Sequence, residues 1–306
     1  MVNFIRRNKY LKIVKNMLEN AVCAFKIKAG LYRHEFGSTH KDFSVAESLA
    51  YIDAVFEDYL RYGGISAEKL SGKTVLEIGP GDNLGVALKF IAYGAARVVC
   101  VDRIYSARDR KKEFAVYSAL RESLGGAEMK SRFDSALELD KGECIFNDNK
   151  LVYIYGLDIG ERGAALKEDS FDLIISRAVL EHIYNIDSAF DFMDRHLKRG
   201  GCHLHKVDLR DHDMFTRDGH NPLTFLTIPE FFWSLMTRYS GKPNRRRADY
   251  FEKKLSGFGY DYDISITSKE DMSSIDAVRP KLAAEFKGLP DENLLVGGIF
   301  IAARKK

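Results

Sequence analysis

The sequence predicts an α/β protein: a mainly parallel sheet with helices on both faces. Three observations carry that prediction. From residue 73 onward, short apolar β-rich runs alternate with helical ones. The first run lies in "TVLEIGPGDNLG" (74–85) and ends on two closely spaced glycines, a usual junction between a strand and a ligand-cradling loop. A chain of 306 residues, 45% apolar and 30% charged, has the composition of a globular protein able to bury a large core.

The chain opens with a basic segment. Its first 41 residues hold nine Lys or Arg (Arg6, Arg7, Lys9, Lys12, Lys15, Lys26, Lys28, Arg33, Lys41) against Glu19 and Glu35. Leu11, Val14, Leu18, Val22 and Phe25 recur at helical spacing, which predicts an amphipathic helix. Two arrangements are open: a helix lying on an anionic membrane surface, or one docked on the body by its apolar stripe with a solvated basic face. A second helix follows in "DFSVAESLAYIDAVFEDYLRYGG" (42–64), with Val45, Leu49, Ile52, Phe56 and Tyr59 on its buried side. Ser44 and Glu47 form a capping box, and the glycines at 63 and 64 end the helix. Residues 1–70 are thus expected as a helical extension or cap before an α/β domain over 71–306.

Within that domain "KTVLEIG" reads as a strand, "NLGVALKFIAYG" as a helix, "RVVCVD" as a strand and "SARDRKKEFAVYSALRESLG" as a helix. "KLVYIYG" and "FDLIIS" are strands, "IDSAFDFMDRHLKRGG" is a helix, and "CHLHKVDL", "YDYDISIT" and "LLVGGIFIAARK" are strands. Segments 125–150 and 210–258 exceed a minimal α/β unit, and such connections build substrate pockets when they leave the carboxyl ends of strands.

The four cysteines are scattered without metal-ligand spacing, so no metal site is expected and reduced thiols in the cytoplasm are the simplest account. A net charge of +3 does not call for a nucleic-acid partner. No apolar run is long enough to span a bilayer, and charges interrupt the N-terminus before a signal-peptide core forms. A cytoplasmic protein is expected, with peripheral membrane contact through the basic helix as the one exception its pattern allows.

The glycine bend narrows the cofactor. A dinucleotide fingerprint would place its third glycine at position 84, which is Leu84, with Gly85 one place late. Glu77, at the end of the strand, is a poor neighbour for a pyrophosphate but suits a zwitterionic ligand. Asp102 ends the next strand, 21 residues after Gly81, where a carboxylate can accept both ribose hydroxyls of an adenosine.

In this order, "VLEIGPGDN", "VVCVDR", "FDLIISRAVLEHI" and "HLKRGGCHLHKV" resemble the motifs of class I S-adenosylmethionine-dependent methyltransferases, over roughly residues 73–209. The resemblance implies a doubly wound, Rossmann-like, seven-stranded and mostly parallel sheet. It also implies S-adenosyl-L-methionine as cofactor and S-adenosyl-L-homocysteine as product. By position, Glu77, Gly79, Pro80, Gly81 and Asn83 would surround the methionine moiety. Asp102 would hold the ribose, with Arg103 beside the adenine. Asp158, with Ile159, would meet the adenine amino group, Glu161 being the competing acid. Ser176 and Arg177 would lie near the methionine amine. Asn83 stands where the family usually has glycine, and Arg199 where it has proline. The "SRAVLEHI … HKVDLRDH" combination further resembles bacterial small-molecule and glycan methyltransferases.

Methyl transfer to a hydroxyl gains rate from a general base. His182 beyond the fourth strand, and His212 with Asp208 beyond the fifth, leave the edge of the sheet where the cofactor crevice is expected; Asp208 would orient His212. His205 should point to the opposite side of the sheet from Asp208, and His220 is a weaker candidate. Arg245, Arg246 and Arg247 could grip a phosphate or form a solvated turn. The expected reaction is methylation of an oxygen on a small molecule or glycan, including phosphorylated or lipid-linked sugars. N- or C-methylation, an RNA-directed enzyme and an inactive scaffold are the competing readings, and nucleic acid is the least favoured partner.

Overall fold

A computed structural model describes residues 8–29, 31, 39–161, 166–168 and 170–306. Arg6, Arg7, Arg33 and Glu35 lie outside the described residues. The strands are β1 (Thr74–Ile78), β2 (Arg97–Asp102), β3 (Leu137–Asp140), β4 (Glu143–Phe146), β5 (Leu151–Tyr155), β6 (Phe171–Arg177), β7 (Leu197–Asp208), β8 (Asp261–Lys269) and β9 (Val296–Arg304). The principal helices are α1 (Lys9–Lys28), α2 (Val45–Gly63), α3 (Gly85–Ala92), α4 (Arg110–Ser123), α5 (Ala127–Asp134), α6 (Ile186–His196), α7 (Glu230–Thr237) and α8 (Ala248–Gly257).

Seven strands form one sheet in the order β5-β2-β1-β6-β7-β9-β8. Neighbours from β5 to β7 are parallel, and β9 runs antiparallel to both β7 and β8. The order reverses at β1, so a crevice opens outside the carboxyl ends of β1 and β6, where open α/β sheets bind ligands. Alternation along the strands divides the core. Val75, Val98, Cys100 and Ile175 pack under α2, α3 and α4, while Leu76, Val99, Ile174 and Val207 pack under α6 and α8. The Ser44–Glu47 capping box starts α2, and Gly64, at φ 57°, ends it in the left-handed conformation.

Segment 125–150 does not build a pocket. It forms α5 and the β3–β4 hairpin at the amino ends of the strands, where the Lys150 carbonyl accepts from the Val98 amide. The physical reason is direction: the segment leaves a helix and enters a strand, so it cannot reach the carboxyl edge. Segment 210–258 does reach that edge, but its last part, α8, covers the sheet through Ala248, Phe251 and Leu255. A third apolar core joins Phe215, Phe225 and Trp233 to Ile275, Val278 and Phe286. The cap over the crevice therefore also draws on the connection between β8 and β9.

Helix α1 corrects the docked-stripe expectation. Its apolar stripe faces outward: Val14, Leu18, Val22 and Phe25 are 52–68% exposed, whereas Lys12, Asn16 and Asn20 are buried. The polar face docks because the cap offers it matched partners. Asn20 donates to the Leu235 carbonyl at 2.9 Å and accepts from the Tyr239 amide at 2.7 Å; Lys12 meets Asp218, and Lys242 meets Asn16 and Glu19. Only Ile13 and Met17 add apolar contact with the cap core.

Candidate functional site

A cavity of about 780 Å³ lies at the carboxyl ends of β1, β2, β5 and β6, a volume in the range of small-molecule sites. Gly79, Gly81, Asp102, Arg103, Asp158 and Ile159 line it on the side of β1, β2 and β5. His182, His212, Met214, Arg238, Tyr239 and Lys242 line the cap side.

The bend after β1 can be built only with glycine. Gly79 and Gly81 sit at φ 71° and 70°, and a Cβ on Gly79 would lie 2.4 Å from Val179 Cγ2 across the crevice. Gly85 serves packing, since its Cβ would meet Ile52 Cδ1 at 2.3 Å. Asn83 is buried and accepts from the Gly85 amide at 2.7 Å, so it starts α3 instead of facing the cavity. Pro80, half-buried between the two glycines, does not line the cavity.

Asp102 projects from the end of β2 into the cavity. Tyr153 donates to its Oδ2 at 3.0 Å, fixing the carboxyl. Burial lifts this group to about 6, against the pull of Tyr153, Arg108 and the Gly81 amide. Glu77 does not line the cavity. Strand alternation turns it to the opposite face from Ile78, where the Cys100 thiol donates to its Oε2 at 3.5 Å. Burial raises it to about 7, with Asp102 adding to the rise. Arg108, which the sequence reading missed, donates to the Gly81 carbonyl at 3.3 Å and stacks on the Tyr153 ring at 4.0 Å. Two raised carboxyls beside a glycine bend form a site whose charge a cationic ligand would restore.

Arg103 and Asp158 pair at 3.0 Å on the cavity wall, and Asp158 also accepts from the Gly160 amide at 2.9 Å. Glu161 lines the same wall. Ser176 and Arg177 are turned elsewhere. The Ser176 hydroxyl meets His205 Nδ1 at 2.8 Å, while Arg177 binds Asp58 at 2.8 Å. His205 and His203 are fully buried and held neutral by burial, the second linked to Tyr260 at 3.1 Å. They belong to the core. His220 packs edge-on to Phe215 and lies outside the cavity lining.

At the cap side, the rings of His182 and His212 meet edge-on with centroids 4.8 Å apart. His212 Nε2 lies 3.9 Å from Asp208 Oδ1 and 4.0 Å from Glu181 Oε1, both too long for a hydrogen bond. Asp208 is instead held bidentately by Arg210 at 3.0 and 2.6 Å, so it does not orient His212. Glu181, which the sequence reading left as part of a motif, is 2% exposed, and burial raises it to about 8. Its Oε1 accepts from the Asp208 amide at 3.0 Å and its Oε2 makes no hydrogen bond.

Two other residues missed in the sequence hold these loops. Asn244 donates from its amide nitrogen to the Leu180 and Ile183 carbonyls at 2.8 and 2.9 Å, bracketing Glu181 and His182. Buried Asp211 takes the amides of Phe215 and Thr216 at 2.7 and 2.9 Å, stabilising a turn in which His212 and Asp213 adopt φ of 49° and 60°. The arginine run neither grips phosphate nor forms a solvated turn. Arg245 is buried against Trp233, Glu230 and Glu285, and Arg247 is buried on the carbonyls of Leu209, Leu294 and Val296. Only Arg246 is exposed. The cations that do line the cavity are Arg103, Arg238 and Lys242.

The strand order reverses at a glycine bend and a carboxylate closes the next strand, the place where open α/β sheets bind their ligands. Residues 51–263 match the family described as Methyltransferase domain. The chain belongs to that family. No curated protein sequence matches it significantly. Among solved structures it is similar to Haemonchus contortus phosphoethanolamine N-methyltransferase 2 in complex with S-adenosyl-L-methionine. Identity there is 19% over 83% of this chain and 52% of that one, with a TM-score of 0.45. An S-adenosylmethionine dependent methyltransferase from Mesorhizobium loti is 16% identical over 83% of this chain and 100% of that one, with a TM-score of 0.44. The chain thus spans about half the length of the Haemonchus enzyme.

Proposed function

We propose that the protein methylates a hydroxyl oxygen of an anionic small molecule or glycan, with the cofactor on the β1, β2 and β5 side of the cavity and the acceptor under the cap. When bound, S-adenosylmethionine supplies the methyl group: the acceptor oxygen bonds to the methyl carbon as the carbon–sulfur bond breaks, and the electron pair stays on sulfur. Asp102 would accept the ribose hydroxyls, the backbone of Gly79 and Gly81 would face the methionine moiety, and Asp158 and Ile159 would border the adenine. Glu77 would act through its charge from beneath the bend. The observation that carries the choice of oxygen is the His182–His212 pair on the acceptor side, with His212 Nε2 making no hydrogen bond and so able to receive the hydroxyl proton. Exposed Arg238 on the cap side supports an anionic acceptor. Incubation with a panel of hydroxylated, phosphorylated and amine acceptors tests this. Methyl ethers should form, and His212→Ala should lower kcat by about 10²-fold. Exclusive transfer to amines would refute the reading.

The outward face of α1 supports a membrane setting for the acceptor. Leu18, Val22 and Phe25 are exposed on α1 together with Lys15, Lys26 and Lys28, and the neighbouring α7 exposes Phe231, Phe232 and Leu235. Helix α1 also touches the cavity wall through Tyr239 and Lys242. Among the described residues no helix is long and apolar enough to cross a membrane. Flotation with anionic vesicles should carry the protein, and Leu18→Asp with Phe25→Asp should abolish that. Equal behaviour of the parent and the variant would refute it.

A further inference from the structure

We propose that Glu181, His182 and His212 form a site for a divalent transition-metal ion at the acceptor end of the cavity. One ligand atom from each residue lies within 4.8 Å of the others. The residues come from two loops, after β6 and after β7, which the parallel pairing of those strands brings side by side.

Glu181 Oε2 is the second, independent observation. It belongs to a side chain 2% exposed, yet it has no hydrogen-bond partner. Buried carboxylate oxygens are normally satisfied, and one that is not marks a place for a missing ligand. His212 Nε2, also buried without a hydrogen bond, stands 4.0 Å from Glu181 Oε1 and 3.9 Å from Asp208 Oδ1. That spacing is too long for direct bonding and about half an ångström wider than the roughly 3.4 Å between two donors each about 2.1 Å from one tetrahedral ion. On binding, the three ligand atoms would draw together from within 4.8 Å of one another to about 3.4 Å.

Two imidazoles with one carboxylate favour an ion of the zinc or manganese class over magnesium or calcium, which prefer oxygen ligands. Three protein ligands leave open positions, and because His182 and His212 line the cavity those positions face the acceptor. Asn244 and Asp211, which brace the two loops, would set the ligand geometry. With the ion bound, a hydroxyl at an open position would be acidified and its proton could pass to solvent at the cavity mouth; without the ion, His212 Nε2 takes that proton. This role rests on the hydroxyl-methylation reading; the binding of the ion does not.

The test uses the full chain, stripped with chelator, dialysed, and titrated with Co²⁺ and Zn²⁺ by calorimetry, with the visible d–d bands of Co²⁺ as a second readout. One ion per chain should bind. Glu181→Gln and His212→Ala should each weaken binding by about tenfold or more and remove the Co²⁺ bands. Glu128→Gln, on the exposed face of α5, should change nothing. Unaltered S-adenosylhomocysteine affinity in each variant would show that the fold is kept. Absence of saturable binding up to about 1 mM metal would overturn the proposal. So would binding that Glu181→Gln and His212→Ala leave unchanged, since the ion would then sit elsewhere. Metal binding with the expected losses, in an enzyme that methylates only amines, would uphold the site and refute hydroxyl methylation.

Discussion

Gly79→Ala probes the bend most sharply, because two separable penalties meet there. The backbone sits at φ 71°, where an L-residue costs about 1–2 kcal/mol. The added methyl would also fall 2.4 Å from Val179 Cγ2, an overlap that forces one wall of the crevice to move and costs about 1–3 kcal/mol. Gly200 isolates the first penalty, since it has φ 75° and nothing within 4 Å of a built Cβ. Urea denaturation should therefore show Gly79→Ala destabilised by about 2–5 kcal/mol and Gly200→Ala by about 1–2. A cycle with Val179→Ala should return about 1–3 kcal/mol of coupling, the share due to the clash. Cofactor affinity should fall for Gly79→Ala and not for Gly200→Ala. Equal destabilisation of the two variants, or a cycle with no coupling, would refute the claim that the bend and the loop after β6 are pressed together.

Four further outcomes are expected. Asp102 and Glu77 are raised to about 6 and about 7, so affinity for the cationic cofactor should rise by about tenfold from pH 5 to pH 8, as measured by calorimetry. Both values lie above those of the unfolded chain, so the same shifts favour folding at low pH; the ligand-free protein should lose stability as pH rises through 6 to 7. Arg247→Met leaves three buried carbonyls without their donor and should cost about 3 kcal/mol in urea melts, whereas Arg246→Ala should stay within about 0.5. Asn244→Ala frees the turn that carries Glu181 and His182. It should lower kcat by about tenfold with little change in cofactor affinity, a split read from steady-state kinetics and calorimetry.

The sheet was legible because its signals are local. Apolar runs such as "VLEI" and "VVCVD" alternate with amphipathic helices, and Ser44, Glu47 and Gly64 announce the limits of α2 in their own side chains. Asp102 could be found because strand ends and loop spacings are read along the chain. The side-chain direction of Glu77 could have been read from the same alternation, since Ile78 and not Glu77 shares the face of Leu76. Helix α1 misled because periodicity reports which residues are apolar and not which face finds a partner; here the polar face met matched groups in the cap. The arginines were opaque for a related reason. Burial of Arg245 and Arg247 depends on Glu230, Glu285 and the carbonyls before β9, far away in sequence. The Glu181–His182–His212 cluster was half visible as motif residues, but its closeness arises from the pairing of β6 with β7.

The most direct test of the account is a diffraction structure with S-adenosylhomocysteine bound. Both ribose hydroxyls are predicted to lie within hydrogen-bonding reach of the Asp102 carboxylate, with the sulfur facing His182 and His212. Density for the nucleoside anywhere but beside Asp102, or a sulfur pointing away from the two histidines, would contradict it.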